Sequence, residues 1–376
     1  MAKRILVTST DLMMVQFLVP HVINLSESGF HVEIACSNVG GRVEEICSKL
    51  NNYVKKIHIV RLKRSPLAPI NFLGYQDMRR IINSGYFNLI WTNEPVMGVV
   101  TRLAARTARK NGTKVMYMTH GFHFFKGAPK KNWLIFYNIE HWASRLCDVI
   151  TTINREDYQR AKKMHAPVVK YIHGIGINPE RLSKVDNRSD IRRELRLNKD
   201  AFLCISVGEL NENKNHQVVI KALGQLKDSD IHYIICGKGD QLENLKNLAK
   251  KQGVQNNTHF LGYRMNVLDI CSQSDLFVFP SYREGLPIAP LEAMYCGLPL
   301  ITSNIRGLVD YMEEGKTGYL TDPDDVNSFA SKIRKLKDDS QLCEEIGINN
   351  RKAVLPFLLA HSKMEVLDLI DDILKG

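Results

Sequence analysis

The feature that most constrains this chain is an alternation. Short apolar runs are separated by longer amphipathic stretches from one end to the other. In the first half, Ile5–Thr8, Val32–Ala35, Ile57–Ile59, Leu89–Thr92, Lys114–Met118 and Val149–Thr152 read as strands. Gln76–Ile82 and Gly98–Arg109 between them read as helices. The second half repeats the scheme, with strands at Phe202–Val207, His232–Cys236, Thr258–Leu261, Leu276–Phe279 and Leu300–Thr302. Its helices are expected at Asn215–Leu226, Gln241–Gln252 and Pro287–Tyr295. Alternating strand and helix requires a parallel sheet covered on both faces. Two series in 376 residues predict two doubly wound α/β domains. The join is placed near 180–200, where Asn178-Pro179-Glu180 is followed by the charged stretch Asp186–Arg196. Ligands of such sheets bind beyond the carboxyl ends of the strands.

Charge divides the same halves. The net charge is +11. Residues 1–185 sum to about +15 and residues 186–376 to about −4. A basic half attracts nucleic acid, anionic lipid or a phosphorylated substrate. No zinc-finger spacing, RNA-binding aromatic signature or sustained basic helix occurs, so nucleic acid is not expected. The eight cysteines form no C-x-x-C pair and read as buried, reduced thiols, which fits the cytosol. Lys3-Arg4 before Ile5-Leu6-Val7 imitates a signal peptide, but Thr8 to Asp11 interrupt the run. No apolar run reaches 18 residues, so membrane contact is expected to be peripheral.

The segment from Leu276 to Ile301 concentrates the chemistry. It reads as a buried strand, a loop carrying Arg283-Glu284-Gly285-Leu286-Pro287, a helix and a second strand. Pro287 suits a first helical turn, and Gly297 followed by Pro299 suits a helix end. A helix start at the carboxyl edge of a sheet favours a diphosphate. Glu284 and Glu292 would flank it, one holding sugar hydroxyls and the other ribose hydroxyls. On spacing alone, a capping glutamate plus a solvated helix residue is an equal reading.

Glu-x7-Glu within E-G-L-P-x-x-x-L-E-A-M-x-x-G-x-P-L-I resembles the signature of the group 1, family 4 retaining glycosyltransferases of GT-B fold. Three further blocks carry the likeness, and it runs through nearly the whole chain: Thr119–Pro129, Val207–His216 and Leu261–Arg264. The chain is most similar to transferases of bacterial exopolysaccharide and capsule synthesis. The resemblance implies two Rossmann-like domains facing an interdomain cleft. Residues 1–184 would bind acceptor, 185–358 would bind nucleotide sugar, and a final helix in 359–376 would pack back on the first domain.

The resemblance also implies the site. Lys214 would bind the donor diphosphate and stabilise the leaving group. Gly208, Glu209, Arg264, Gly285, Leu286, Ile288 and Pro287 would line the donor beside Glu284 and Glu292. Family members commonly carry arginine where this chain has Glu209, which removes one phosphate cation. Gly237-Lys238-Gly239 reads either as a close approach to nucleotide or as a plain tight turn. His120 would point at the donor sugar and the reacting centre, with His123 assigned beside it, although a packed or solvated histidine is the plainer reading there. Phe122, Phe124, Phe125 and Trp133 with Lys126, Lys130 and Lys131 could seat the apolar, anionic end of a lipid-linked acceptor or dip into the bilayer interface, or be ordinary core aromatics beside solvated lysines. The first loop, Ser9–Val15, lacks the Gly-Gly common in relatives, so donor contact there is not expected. Asp322-x-Asp324 reads as structural, and no metal or cofactor is expected.

Together these readings describe a transferase moving a hexosyl unit from a nucleoside diphosphate sugar, UDP first and GDP second, to a lipid-linked saccharide. It would act as a peripheral protein on the anionic inner face of a bacterial membrane. The rivals are a GT-B nucleotide-sugar 2-epimerase, a non-catalytic nucleotide-sugar-binding partner and, more weakly, a glycoside hydrolase using the two glutamates.

Overall fold

A computed structural model describes residues 2–39, 43–178, 180 and 190–375. The chain divides into two packing units. One runs up to Gly176 and resumes at Ala360; the other is Ile177–Leu359. The expected boundary at 184/185 lies outside the described residues.

The first unit contains a parallel sheet of seven strands, β1 (Arg4–Asp11), β2 (His31–Ser37), β3 (Val54–Ile59), β4 (Leu89–Asn93), β5 (Lys114–Thr119), β6 (Val149–Thr152) and β7 (Val168–Tyr171). Their order is β3-β2-β1-β4-β5-β6-β7. The central strands are buried on both faces, so they read as unbroken apolar runs. β7 escaped the sequence reading because it is a four-residue edge strand of alternating exposure. The expected loop at Ser9–Val15 is not one. β1 continues to Asp11 and the helix Leu12–Glu27 starts at the next residue.

The core of this unit includes a buried ion pair. Arg102 donates to Glu140 at 2.7 Å, and Tyr117 on β5 donates to the other carboxylate oxygen at 3.0 Å. The guanidinium lies 4.0 Å over the Tyr117 ring. The arrangement ties the helix Pro95–Ala104 to the helix Asn138–Ala143 beneath the sheet. The final helix, Leu359–Lys375, is held by His173, whose Nδ1 lies 2.7 Å from Glu365, and by Ser362, which donates to the Gly174 carbonyl.

The second unit has six parallel strands, β8 (Phe202–Val207), β9 (Ile231–Cys236), β10 (Thr258–Gly262), β11 (Leu276–Phe279), β12 (Leu300–Ser303) and β13 (Gly318–Thr321). The order is β10-β9-β8-β11-β12-β13. Apolar side chains such as Leu203, Ile205, Phe277, Leu291 and Met294 fill one face. Val219, Leu223, Phe329 and Ile333 cover the other. β13 was missed because it opens on Gly318, where a Cβ would meet the Leu300 carbonyl oxygen at 2.0 Å. In both sheets the strand order reverses once, between β1 and β4 and between β8 and β11. These are the switch points at which the connections leave a crevice at the carboxyl edge.

Four histidines, His21, His120, His216 and His259, are pushed down to about 4, mainly by burial. Each is neutral when folded, while in the unfolded chain it titrates near 6.5. The unfolded state therefore binds more protons on acidification. Denaturant titrations at a series of pH values are expected to show stability flat above about pH 6.5 and falling steadily towards pH 4. A midpoint independent of pH across that window would contradict these buried neutral imidazoles.

Candidate active site

The second unit's switch point is built by two loops, one after β8 and one after β11. The first runs from Gly208 to Asn215. Asn211 caps the short 3-10 turn Glu212–Lys214, accepting from the Lys214 N–H at 3.1 Å. Asn215 then takes a left-handed conformation with φ of 50°, and the helix His216–Leu226 begins. Lys214 therefore ends the turn before the helix rather than opening the helix itself. The second loop runs from Pro280 to Pro287. Hydrogen bonds stitch the two together. Tyr282 N–H donates to the Asn213 carbonyl at 2.8 Å, and the Asn213 side chain donates to the Arg283 carbonyl at 3.0 Å. Buried Asn215 donates to the Pro280 carbonyl at 3.2 Å and to the Pro323 carbonyl at 2.7 Å.

That stitching brings Lys214 and Glu284 into contact. The ammonium lies 2.7 Å from a Glu284 carboxylate oxygen, with both side chains largely covered. The same ammonium sits 4.5 Å over the Phe279 ring at the end of β11. Its methylenes run past Gly208, where an added Cβ would lie 3.3 Å from the Lys214 Cε. Below the loop, His216 Nδ1 lies 3.0 Å from the Tyr233 hydroxyl, which donates to Ser206 at 2.8 Å. This network links the β8 and β9 strand ends to the start of the helix. Glu209 is exposed and accepts from Asn211 at 2.9 Å.

Beside Glu284 the helix Ile288–Cys296 begins, and no side chain caps it. Pro287 stands just outside as the N-cap, not in the first turn as expected. Ile288 and Ala289 carry the leading N–H groups, because Pro287 and Pro290 have none. Glu292 lies a turn further on and is buried, so it is not a solvated helix residue. The Gly285 end of the loop rests against the chain after β12. Arg306 donates to the Glu284 carbonyl at 3.0 Å, and a Cβ at Gly307 would meet the Gly285 oxygen at 2.1 Å. Gly237 and Gly239 have a similar cause. Added Cβ atoms would strike the carbonyl oxygens of Gly208 at 1.7 Å and Leu210 at 2.2 Å. The glycines are needed for loop-against-loop packing, which the sequence reading did not consider.

Arg264 follows β10, but its guanidinium is engaged by Glu194 at 2.6 and 3.0 Å and by Asn266. The backbone of Gly262 bonds the neighbouring loop through its carbonyl, which accepts from Gly237 N–H at 2.8 Å. Asp324 of the Asp-x-Asp stretch accepts from the Tyr282 hydroxyl at 2.6 Å, which buttresses the same loop.

In the first unit, His120 stands just beyond β5. Its Nε2 lies 3.0 Å from the Asn93 carboxamide oxygen, and the Asn93 amide donates to the Thr8 carbonyl at 3.2 Å. The ring therefore carries its proton on Nε2 and presents Nδ1 as an acceptor. Phe122 is corrected as an acceptor residue. It is 2% exposed, its ring stacked on Phe124 at 4.6 Å, so it belongs to the core. Trp133 closes the same cluster, 5.7 Å from Phe124. His123 packs on Phe136 at 4.8 Å. The Lys126 N–H donates to Glu156 at 2.7 Å, while its own side chain is not part of that bond.

The sequence reading missed Glu94. It follows β4 at the first unit's switch point, with φ of 65° and ψ of 160°, a region natural to glycine. Its carboxylate accepts from the Ser9 hydroxyl at 2.7 Å and the Thr10 N–H at 2.8 Å. Burial raises its pKa, against those two hydrogen bonds. Its position directly after a strand in Asn93-Glu94-Pro95 was the available signal. Asn215 and Gly307 were missed for a different reason, since their roles are contacts with distant loops.

Comparisons with known proteins place the chain in a family. The model for "Glycosyl transferases group 1" matches residues 187–353, and that for "Glycosyltransferase Family 4" matches residues 21–181. A Bacillus subtilis protein named "Putative glycosyltransferase EpsD" is 34% identical, covering 98% of this chain and 96% of its own. The chain belongs to the group 1, family 4 glycosyltransferases. It is an enzyme that transfers sugars from nucleotide sugars. An Escherichia coli relative, UDP-Gal:alpha-D-GlcNAc-diphosphoundecaprenol alpha-1,3-galactosyltransferase, is 25% identical over 85% of this chain and 83% of its own. The crystal structure of Anabaena HepE in complex with UDP superposes with a TM-score of 0.78 at 18% identity, covering 98% of this chain and 100% of that one. That likeness establishes the GT-B fold.

The glycine packing gives a test within this glycosyltransferase. Gly237→Ala must push the 208–210 backbone away, and with it the Lys214 methylenes. Nucleotide binding by calorimetry is expected to weaken about tenfold, with unfolding free energy down by about 2 kcal/mol. Unchanged nucleotide affinity would show that the loop contact does not set the site.

Proposed function

We propose that this enzyme moves a hexosyl unit from a UDP-sugar to a lipid-linked saccharide, with retention at the anomeric carbon, in bacterial exopolysaccharide or capsule assembly. It would work peripherally at the cytoplasmic face of the membrane. The observation that carries the reading is Lys214 held against Glu284 at the switch point, beside an uncapped helix start. A fixed ammonium and two leading N–H groups suit a diphosphate. HepE, which shares the fold, binds UDP, and the Escherichia coli relative acts on an undecaprenyl-diphosphate sugar; both support the choice of nucleotide and acceptor class. Among the described residues no helix is long and apolar enough to cross a membrane.

In this reading the acceptor hydroxyl attacks the anomeric carbon on the face from which UDP departs. Its proton passes to the leaving phosphate oxygen. Lys214 stabilises the charge that grows on that diphosphate, where a preorganised cation is most effective. Glu284 accepts hydrogen bonds from the sugar, and Glu292 from ribose. The neutral His120 ring offers Nδ1 to a hydroxyl of the sugar or acceptor. Gly208, Gly285, Leu286 and Ile288 supply close backbone, while Glu209 and Arg264 border the nucleotide without holding phosphate. His123 and Lys126 are retained on the acceptor side.

Lys214→Ala is expected to lower kcat about 10²–10³-fold, with thermal unfolding close to wild type. Turnover is read as saccharide product on a lipid acceptor, and wild-type turnover would refute the assigned role. Release of an epimerised sugar without an acceptor would replace the transferase reading.

A further inference from the structure

The helical run Lys130–Leu146 is apolar on two sides, and only one of them is accounted for. It comprises Lys130–Asn132, a π-helical turn Trp133–Tyr137, Asn138–Ala143 and a 3-10 turn Ser144–Leu146. The inner side is core. Tyr137 packs edge-on against Phe124 at 5.3 Å, Arg160 lies 4.6 Å over Trp133, and Glu140 is locked to Arg102. The outer side carries Leu134, Ile135, Ile139 and Trp142, exposed by 73%, 51%, 39% and 45%. Lys131 and Arg145, also exposed, stand at its two ends. These positions recur at the three- and four-residue spacing of one helix face.

A continuous apolar stripe of this kind marks an interaction surface. Its electrostatic surroundings select the partner. Arg145 lies within 3.0 Å of His165, beside exposed Lys162 and Lys163. The acids of the same stretch are already committed: Glu140 to Arg102, Asp148 to Arg109, Glu156 to Arg160, and buried Asp157 to Asn154 and the Phe122 N–H. A second copy docking by the same face about a two-fold axis would set Lys131 of each copy against Arg145 of the other, which repels. An anionic bilayer satisfies both features, accepting leucine, isoleucine and tryptophan at the acyl boundary and the cations among the headgroups.

We propose that Leu134, Ile135, Ile139 and Trp142 seat this enzyme on an anionic membrane, with Lys131 and Arg145 meeting the lipid phosphates. The proposal rests on the reading that the acceptor is membrane-held. It also relocates the lipid contact from the aromatic cluster of Phe122 and Phe124, which is buried, to the opposite side of the adjoining helix.

The test is flotation of the full chain with phosphatidylglycerol vesicles and, separately, with phosphatidylcholine vesicles. Binding to the first at low salt, weakened by added salt, is expected; no binding to the first overturns the proposal. Leu134→Glu with Ile139→Glu is expected to lower the vesicle-bound fraction about tenfold or more. Lys131→Glu with Arg145→Glu, which leaves the apolar stripe intact, is expected to abolish the preference for phosphatidylglycerol. Ile348→Glu, on an exposed apolar position of the second unit, is expected to change neither. Wild-type flotation by the Leu134/Ile139 variant overturns the proposal, as does a dimer in size-exclusion chromatography that this variant dissolves. Transfer to a water-soluble short-chain acceptor, measured alongside, is expected to survive in the Leu134/Ile139 and Ile348 variants. Loss of that transfer in the parent protein would instead overturn the transferase reading.

Discussion

The ion pair between Lys214 and Glu284 is the contact on which the proposed donor site depends. The two residues are 70 positions apart and come from loops on either side of the strand-order reversal. Neither loop places its side chain alone. Asn213, Asn215 and Tyr282 bind one loop to the other, and Gly237 and Gly307 admit neighbouring backbone that any side chain would displace. The pair itself, largely covered, is expected to add little net stability, because desolvation offsets much of the attraction. Its value is positional. It holds an ammonium beside a helix start before any ligand arrives, so less reorganisation is left for the reaction.

The pairing has a functional corollary. Glu284 neutralises Lys214 across their 2.7 Å contact. In the proposed reading, a diphosphate binding there would share or take the ammonium from the carboxylate, which would then turn towards the sugar. The two roles assigned to these residues are therefore coupled through one contact. Glu94 and His120 show a related economy in the first unit. Both follow central strands, both are held by hydrogen bonds to the carboxyl-end residues of β1 or β4, and burial disfavours the charged form of each.

The fold was legible because central parallel strands must be apolar on both faces, and their runs stand out between amphipathic helices. What was lost were elements whose pattern is weak: the four-residue edge strand β7 and the glycine-led β13. The first loop was misplaced because Leu12 begins a helix with no break after β1. Candidate residues in the segments that follow strands, such as Lys214, Glu284 and His120, could be assigned to those segments from the strand pattern. Residues that act by touching a distant loop could not. Asn215, Arg306 and Gly307 have no local periodicity to reveal a partner tens of residues away. Phe122 was misjudged for the converse reason, since an aromatic beside lysines looks the same in sequence whether its ring faces the core or the solvent.

The most direct test of this account is UDP affinity by calorimetry in two variants of the pair. Lys214→Ala is expected to weaken UDP binding roughly ten- to hundredfold, the effect of losing a charge-assisted contact. Glu284→Gln, which releases the ammonium from its competing carboxylate, is expected to bind UDP as well as or better than the parent while sugar transfer falls. Equal loss of UDP affinity in both variants, or unchanged affinity in Lys214→Ala, would contradict the placement of the diphosphate at this ion pair.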